Sequence, residues 1–148
     1  MNEFFQLLKK EHKTIMDILD QLEDTEEAKK REELFQKLKE ELLPHMRAEE
    51  STFYEPLLAK KDTRDVALEG TEEHHASDLV FKELEKMPKD KDEWAAKLTV
   101  FKEMVEHHIK EEEGTMFTVT EIVLTDEKIQ AIMKDFKAEK KKLQENLK

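Results

Sequence analysis

The feature that most constrains this chain is an apolar stripe of helical period with histidines set into it. Phe5, Leu8, His12, Ile15, Leu19 and Leu22 recur at steps of three or four, the spacing that places side chains on one face of an α-helix. The pattern returns three times. A second stripe runs Leu34, Leu38, Leu42, His45, Glu49, Thr52 with Phe53, then Pro56 with Leu57. A third is Ala67, Gly70, His74, Ser77, Phe81 and Leu84. A fourth is Trp94, Leu98, Phe101, Val105, His108, Glu112, Thr115 with Met116, and Val119. Only 2 glycines and 3 prolines interrupt 148 residues, which leaves little material for hairpin turns. These stripes predict an all-α chain, an up-down-up-down four-helix bundle with short loops. An additional C-terminal helix at about 125–146 carries Ile129, Ile132, Met133, Phe136 and Leu143.

The expected boundaries follow from local signals. Asp24 and Thr25 are candidate caps for a second helix from about Glu26 to about Lys60. Pro44 lies inside it, where a proline removes a backbone hydrogen bond at a cost of ~3 kcal/mol. It either aims His45 or is a tolerated kink. The third helix starts near Asp62 or Thr63 and ends before MPKDKDE, with Pro88 marking the turn. Asp92 is the expected N-cap of the fourth helix and Thr125 that of the last.

The two halves are alike. EHKTIMDILDQL from Glu11 lines up with EHHASDLVFKEL from Glu73, and HMRAEESTFYEP from His45 with HIKEEEGTMFTV from His108. The spacing from His12 to His45 nearly equals that from His74 to His108. The chain, residues 1–148, therefore reads as one domain of two helical hairpins, about 1–60 and 62–120, followed by the C-terminal helix. Each hairpin carries one histidine on its first helix and His-x-x-x-Glu on its second.

Residues four apart share a helix face, so His45 with Glu49, and His108 with Glu112, point at a common centre. His12 and His74 face them from the other helices. Four imidazoles and two carboxylates left unpaired in a bundle core would carry a heavy desolvation penalty, which bound metal removes. Six N/O donors exceed what one tetrahedral zinc takes. They suit two first-row metals, each with two histidines, bridged by the glutamates and by an oxo or hydroxo group. This donor set favours iron, with manganese or zinc behind it. The candidate ligands are His12, His45, Glu49, His74, His108 and Glu112.

Neighbouring residues need sorting. His74 is favoured over His75 because Ser77, Phe81 and Leu84 continue its face, whereas Lys82 and Lys86 follow from His75. His108 is favoured over His107 for the same reason. Glu50 and Glu113 are read as solvated, and as second choices for bridges. Asp78 is either a hydrogen-bond partner of His74 or a plain surface residue. Tyr54 is expected to flank the site.

Charged residues make up 43% of the chain and the net charge is -11, which disfavours nucleic acid and anionic membranes as partners. The AEKKKLQ run reads as a solvated helix end. With no cysteine, disulfides and thiolate chemistry are excluded. No apolar run approaches the ~20 residues that span a bilayer, and MNEFFQLLKK lacks a signal-peptide cleavage site, so a cytoplasmic location is expected.

The segments EHKTI, LLPHMRAEESTFYEPL, EEHHASDL and VEHHIKEEEGTMF resemble the hemerythrin-like, or HHE cation-binding, domain over nearly the whole chain. The resemblance implies a four-helix bundle holding a non-haem di-iron centre at the same six residues. It implies a small-molecule partner: dioxygen, bound or sensed, or peroxide or nitric oxide. An enzyme handling peroxide, nitric oxide or ferrous iron is the alternative, and a metal-free acidic interaction bundle the second alternative. The sequence departs from the family's oxygen carriers, which have a histidine one turn after the third-helix histidine and an aspartate five residues after the last. Here those places hold Asp78 and Glu113, which argues against simple reversible carriage.

Overall fold

A computed structural model describes residues 2–147, which are helical almost throughout and contain no strand. Helix α1 (Glu3–Glu23) starts where the Asn2 side chain accepts the Phe5 N–H at 2.9 Å. Helix α2 (Ala28–Ala48) runs directly into a π-helical turn, Glu49–Tyr54, and a short α3 (Glu55–Leu58). Helix α4 (Lys61–Lys86) returns antiparallel. Helix α5 (Asp92–Glu111) passes through a second π-helical turn, Glu112–Met116, into α6 (Phe117–Val123), and α7 (Asp126–Leu147) follows. Helix α1 packs against α2 and α5, while α4 packs against α5 and the extension of α2, which closes the four-helix ring. Helix α7 lies along α2 and its π turn and reaches α1.

The π turns are the main departure from the expected helices. The uninterrupted helix from Glu26 to Lys60, kinked at Pro44, is replaced by α2 beginning at Ala28 and a change of winding at Glu49. The Glu55 N–H bonds the carbonyl of Glu50, and the Phe117 N–H bonds that of Glu112, each five residues back. One added residue rotates the buried face by about 100°. After Glu49 the buried side chains are therefore Phe53, Tyr54 and Leu57, while Pro56 is exposed. After Glu112 they are Met116, Phe117 and Thr120, while Thr115 is exposed.

Other boundaries shift by a residue or two. Asp24 closes α1 instead of opening α2, and the Thr25 hydroxyl bonds back to the Gln21 carbonyl at 2.6 Å. Asp92 is the first residue of α5, not its cap. Thr125 caps α7 as expected, its hydroxyl accepting the Lys128 N–H at 3.2 Å.

The stripes assemble two apolar clusters. One holds Ile15, Leu19, Phe35, Leu38, Phe81, Trp94 and Phe101. At that end buried Arg31 donates to the carbonyls of Thr25 and Lys89, at 2.7 and 2.6 Å, tying the α1–α2 connection to the α4–α5 connection. The other cluster holds Phe4, Phe5, Leu8, Phe53, Leu57, Phe117 and Phe136. Between them lies a polar layer formed by the stripe histidines and glutamates.

Phe136 fixes α7 to this framework. It is fully buried, edge-on to Phe4 at 5.6 Å and to the His45 ring at 5.9 Å between centroids. Phe136→Ala is expected to destabilise the chain by about 3–5 kcal/mol. For a chain of this size that lowers the melting temperature by on the order of 10 °C. An unchanged melt followed by circular dichroism would show that α7 does not contribute to the core.

Candidate metal centre

All six expected donors meet in the polar layer. His12, His45, His74 and His108 are buried, and Glu49 and Glu112 are fully so. The donors fall into two overlapping sets. One atom each from His12, His45, Glu49 and Glu112 lies within 4.8 Å of the others, and so does one each from Glu49, His74 and His108. Glu49 belongs to both, with Oε1 at 3.3 Å from the Nε2 of His45 and equally far from that of His74. Glu112 spans the same gap, with Oε1 at 3.2 Å from His12 Nε2 and Oε2 at 3.4 Å from His108 Nε2.

Each ring is fixed from behind. The Nδ1 atoms of His12, His45, His74 and His108 pair with Glu113, Glu11, Glu50 and Glu73 at 2.7, 2.8, 2.7 and 2.7 Å. Every pair joins two helices, and every pair turns Nε2 into the centre. A carboxylate on the outer imidazole nitrogen is the arrangement that orients a metal-ligating histidine and raises its basicity. The expectation that Glu50 and Glu113 are merely solvated is corrected here. Beside its neighbour on the wall, each reaches across to a histidine of the opposite hairpin. Glu11 and Glu73, each next to a stripe histidine, were missed altogether, although the duplicated Glu-His pair was a signal for them.

The remaining assignments sort cleanly. His75 and His107 are exposed, which leaves His74 and His108 as the inward rings. Asp78 does not reach His74, and pairs instead with Arg47, which also holds Glu50 at 2.9 Å. Tyr54 does not flank the centre but enters it. Its hydroxyl donates to Glu112, lies 2.9 Å from His108 Nε2 and is 3.4 Å from Glu49 Oε1. The π turn causes this, since in an unbroken α-helix the buried face would pass Tyr54 by. The AEKKKLQ run is also less solvated than expected, for Lys140 reaches Glu11 at 3.1 Å and Glu41 at 3.5 Å.

Three buried atoms facing the centre, Glu49 Oε2, His74 Nε2 and Glu112 Oε1, have no hydrogen-bond partner. Buried polar atoms are rarely left so. Imidazole nitrogens with carboxylate oxygens suit divalent first-row cations, and a cation would satisfy all three. The residues present therefore fit a metal. Beside them is a cavity of about 20 Å³, walled by Ile15, Leu42, Val105 and Ile109 with the four histidines. That is room for roughly one water-sized molecule.

The fold and donor set together define a helical-bundle protein of the cation-binding type. The Hemerythrin HHE cation binding domain family matches residues 3–120, and the chain belongs to that family. Its structure is similar to that of the Hemerythrin HHE cation binding domain-containing protein from Mycobacterium kansasii, the Rv2633c homolog, with a TM-score of 0.84 at 22% sequence identity. The similarity covers 99% of this chain and 90% of that one, so it extends through α7, beyond the family's matched residues. No curated protein matches the sequence. Among the described residues no helix is long and apolar enough to cross a membrane.

Without a cation the centre is held by proton-mediated pairs. Burial disfavours a charged His45, yet Glu49 and Glu11 outweigh it and raise its pKa from 6.5 to about 9. Burial likewise opposes a charged His108, but Glu112 and Glu73 lift it to about 10. His12 is raised well above the usual imidazole range, against its burial, by Glu112, Glu113 and Glu49. Burial works to raise Glu49, but the facing His45 and its hydrogen bonds hold it well below the usual carboxylate range. A raised histidine pKa gives stability that is complete below the unfolded value of 6.5 and is lost as pH climbs through the folded value. The chelator-treated protein should therefore melt progressively lower from about pH 7, most steeply between pH 7 and 9, and level off as pH passes 9–10. The metal-loaded protein, whose imidazoles bind as neutral ligands, should lose less over the same range. Thermal melts of the two forms across that range check this, and parallel curves would contradict it.

Proposed function

We propose that the polar layer is a non-haem dinuclear metal centre, with iron the metal, that binds or senses dioxygen or a related small molecule. The ligands are His12, His45, Glu49, His74, His108 and Glu112, with the two glutamates spanning both metals. The observation that carries this reading is the convergence of four Nε2 atoms and two carboxylates on one buried layer, with three of those atoms lacking any hydrogen-bond partner. Membership of a cation-binding family supports a metal, and the mixed N/O donor set supports iron or manganese over zinc. Two metals sharing these donors would supply the open coordination positions that a diatomic molecule needs.

The chain's own residues set what reaches those positions. The carboxylates behind the rings hold the Nε2 atoms in place, so little reorganisation accompanies binding. Ile15, Leu42, Val105 and Ile109 keep the adjoining cavity apolar and small, which favours a very small ligand and excludes larger substrates. A purely structural role for the polar layer is disfavoured by its orphaned atoms, which an apolar isostere would avoid at no cost.

His45→Ala and Glu112→Ala should each lose about half or more of the bound metal, whereas His107→Ala should leave the content unchanged. Elemental analysis of protein purified without added metal checks both statements. Two metals per chain retained in both alanine variants would remove these residues from the centre. In the ferrous protein, optical bands that form in air and reverse on degassing support dioxygen binding. Bands that never form, with multiple turnovers of peroxide instead, would move the reading to catalysis.

A further inference from the structure

Around the centre the two hairpins carry matching histidines and glutamates, and two of the exceptions to the likeness concern Tyr54 and Gly70. Tyr54 stands nine residues after His45, and the same place after His108 holds Phe117. Gly70 stands four residues before His74, and the same place before His12 holds Leu8. These two exceptions are in contact. A Cβ built on Gly70 would lie 3.2 and 3.4 Å from the Tyr54 ring carbons Cε2 and Cζ, and 3.0 Å from Met116 Cε. Of the two cross-hairpin pairs, Leu8 and Phe117 fill the apolar cluster, with Phe117 stacked on Phe5 at 4.0 Å. In the other pair Gly70 clears the space and the Tyr54 phenol takes it.

The phenol oxygen does not bond to the outer side of the site. It meets His108 at Nε2, the nitrogen that faces inward because Nδ1 is engaged by Glu73. It also touches the carboxylates of Glu112 and Glu49. It therefore occupies the same shell as the metal-facing atoms. Glu49 and Glu112 both reach the His74 and His108 side, Glu112 Oε2 lying 3.4 Å from His108 Nε2. Tyr54 adds a further hard oxygen donor there, and the His12 and His45 side has no counterpart, because Phe117 stands at the matching place.

We propose that Tyr54 is a further ligand, a phenolate oxygen bound to the metal on the His74 and His108 side, and that it makes the two metal positions chemically unequal. The proposal rests on the dinuclear reading above. On loading, the Oη–H bond breaks, an Oη–metal bond forms and the proton leaves to solvent, as with other ligands that must deprotonate to bind. A nearby cation favours the ionised phenol, inverting the preference that burial alone imposes. An anionic phenolate favours the ferric state at that position, so the two metals should differ in reduction potential.

Tyr54 is the chain's single tyrosine, so any tyrosinate signal belongs to it. The protein is loaded with ferrous iron without oxygen and then oxidised in air. Iron content, visible absorption and resonance Raman spectra are recorded for the wild type and for Tyr54→Phe. The expected result is a phenolate-to-ferric charge-transfer band with enhanced tyrosine ring modes, which shift when ring-deuterated tyrosine is incorporated. Tyr54→Phe should lose the band and the modes. If that variant does not fold, the isotope shift in the wild type decides the matter alone. A ferric wild type holding two irons per chain without tyrosinate modes overturns the proposal and leaves the dinuclear reading intact. So does a band that persists in Tyr54→Phe. A wild type that takes up no stoichiometric iron overturns both.

Discussion

The structure depends on the pairing of four buried imidazoles with four carboxylates behind them. A histidine in an apolar bundle is costly unless both nitrogens are satisfied. Here one nitrogen of each ring is committed to a glutamate on another helix, at 2.7–2.8 Å. That commitment decides which way the other nitrogen points. The inward-facing polar layer is thus a product of the outer pairs, and each outer pair also cross-links the bundle. Charge balance follows the same logic. The net charge of -11 has a local counterpart in Glu11, Glu49, Glu50, Glu73, Glu112 and Glu113, gathered around one small volume. Such a concentration of carboxylates is tolerable when protons or cations are shared among them.

The duplicated sequence imposes an approximate two-fold relation, and the fold then breaks it at particular residues. Glu11, behind His45, is gripped by Lys140 of α7 at 3.1 Å, and Phe136 closes over the same ring. Glu73, behind His108, has instead the exposed His107 at 3.3 Å. One side of the centre is therefore covered by an added helix, while the other lies nearer solvent. The Tyr54 and Gly70 pair lies on the second side. A polar layer built from two like hairpins thus has two unlike sides, through residues that lie outside the repeating motif or exchange one member of it.

The π turns show how a small change of winding carries chemical consequences. Each begins at a glutamate of the centre, Glu49 or Glu112, and each contains the next glutamate, which reaches a histidine of the opposite hairpin. Widening the turn lets two successive carboxylates serve one centre from different directions. A regular α-helix would point them about 100° apart, one toward the core and one toward water. The same extra residue rotates Tyr54 and Phe117 into the interior.

How much of this was legible in the sequence can be judged residue by residue. The helical stripes and their histidines determined the all-α bundle, its helix order and the six inward donors, because a 3.6-residue period fixes which side chains share a face. The choice of His74 over His75 and of His108 over His107 was legible on the same ground. Periodicity did not contain the roles of Glu11, Glu50, Glu73 and Glu113, since their partners lie on other helices; the one trace of Glu11 and Glu73 was their repetition beside His12 and His74. Nor did it contain the entry of Tyr54, because a π turn is selected by what the added residue gains in packing and pairing, not by propensity. The position of α7 over His45 was decided likewise, by Phe136 and Lys140 meeting surfaces that exist only once the bundle has closed.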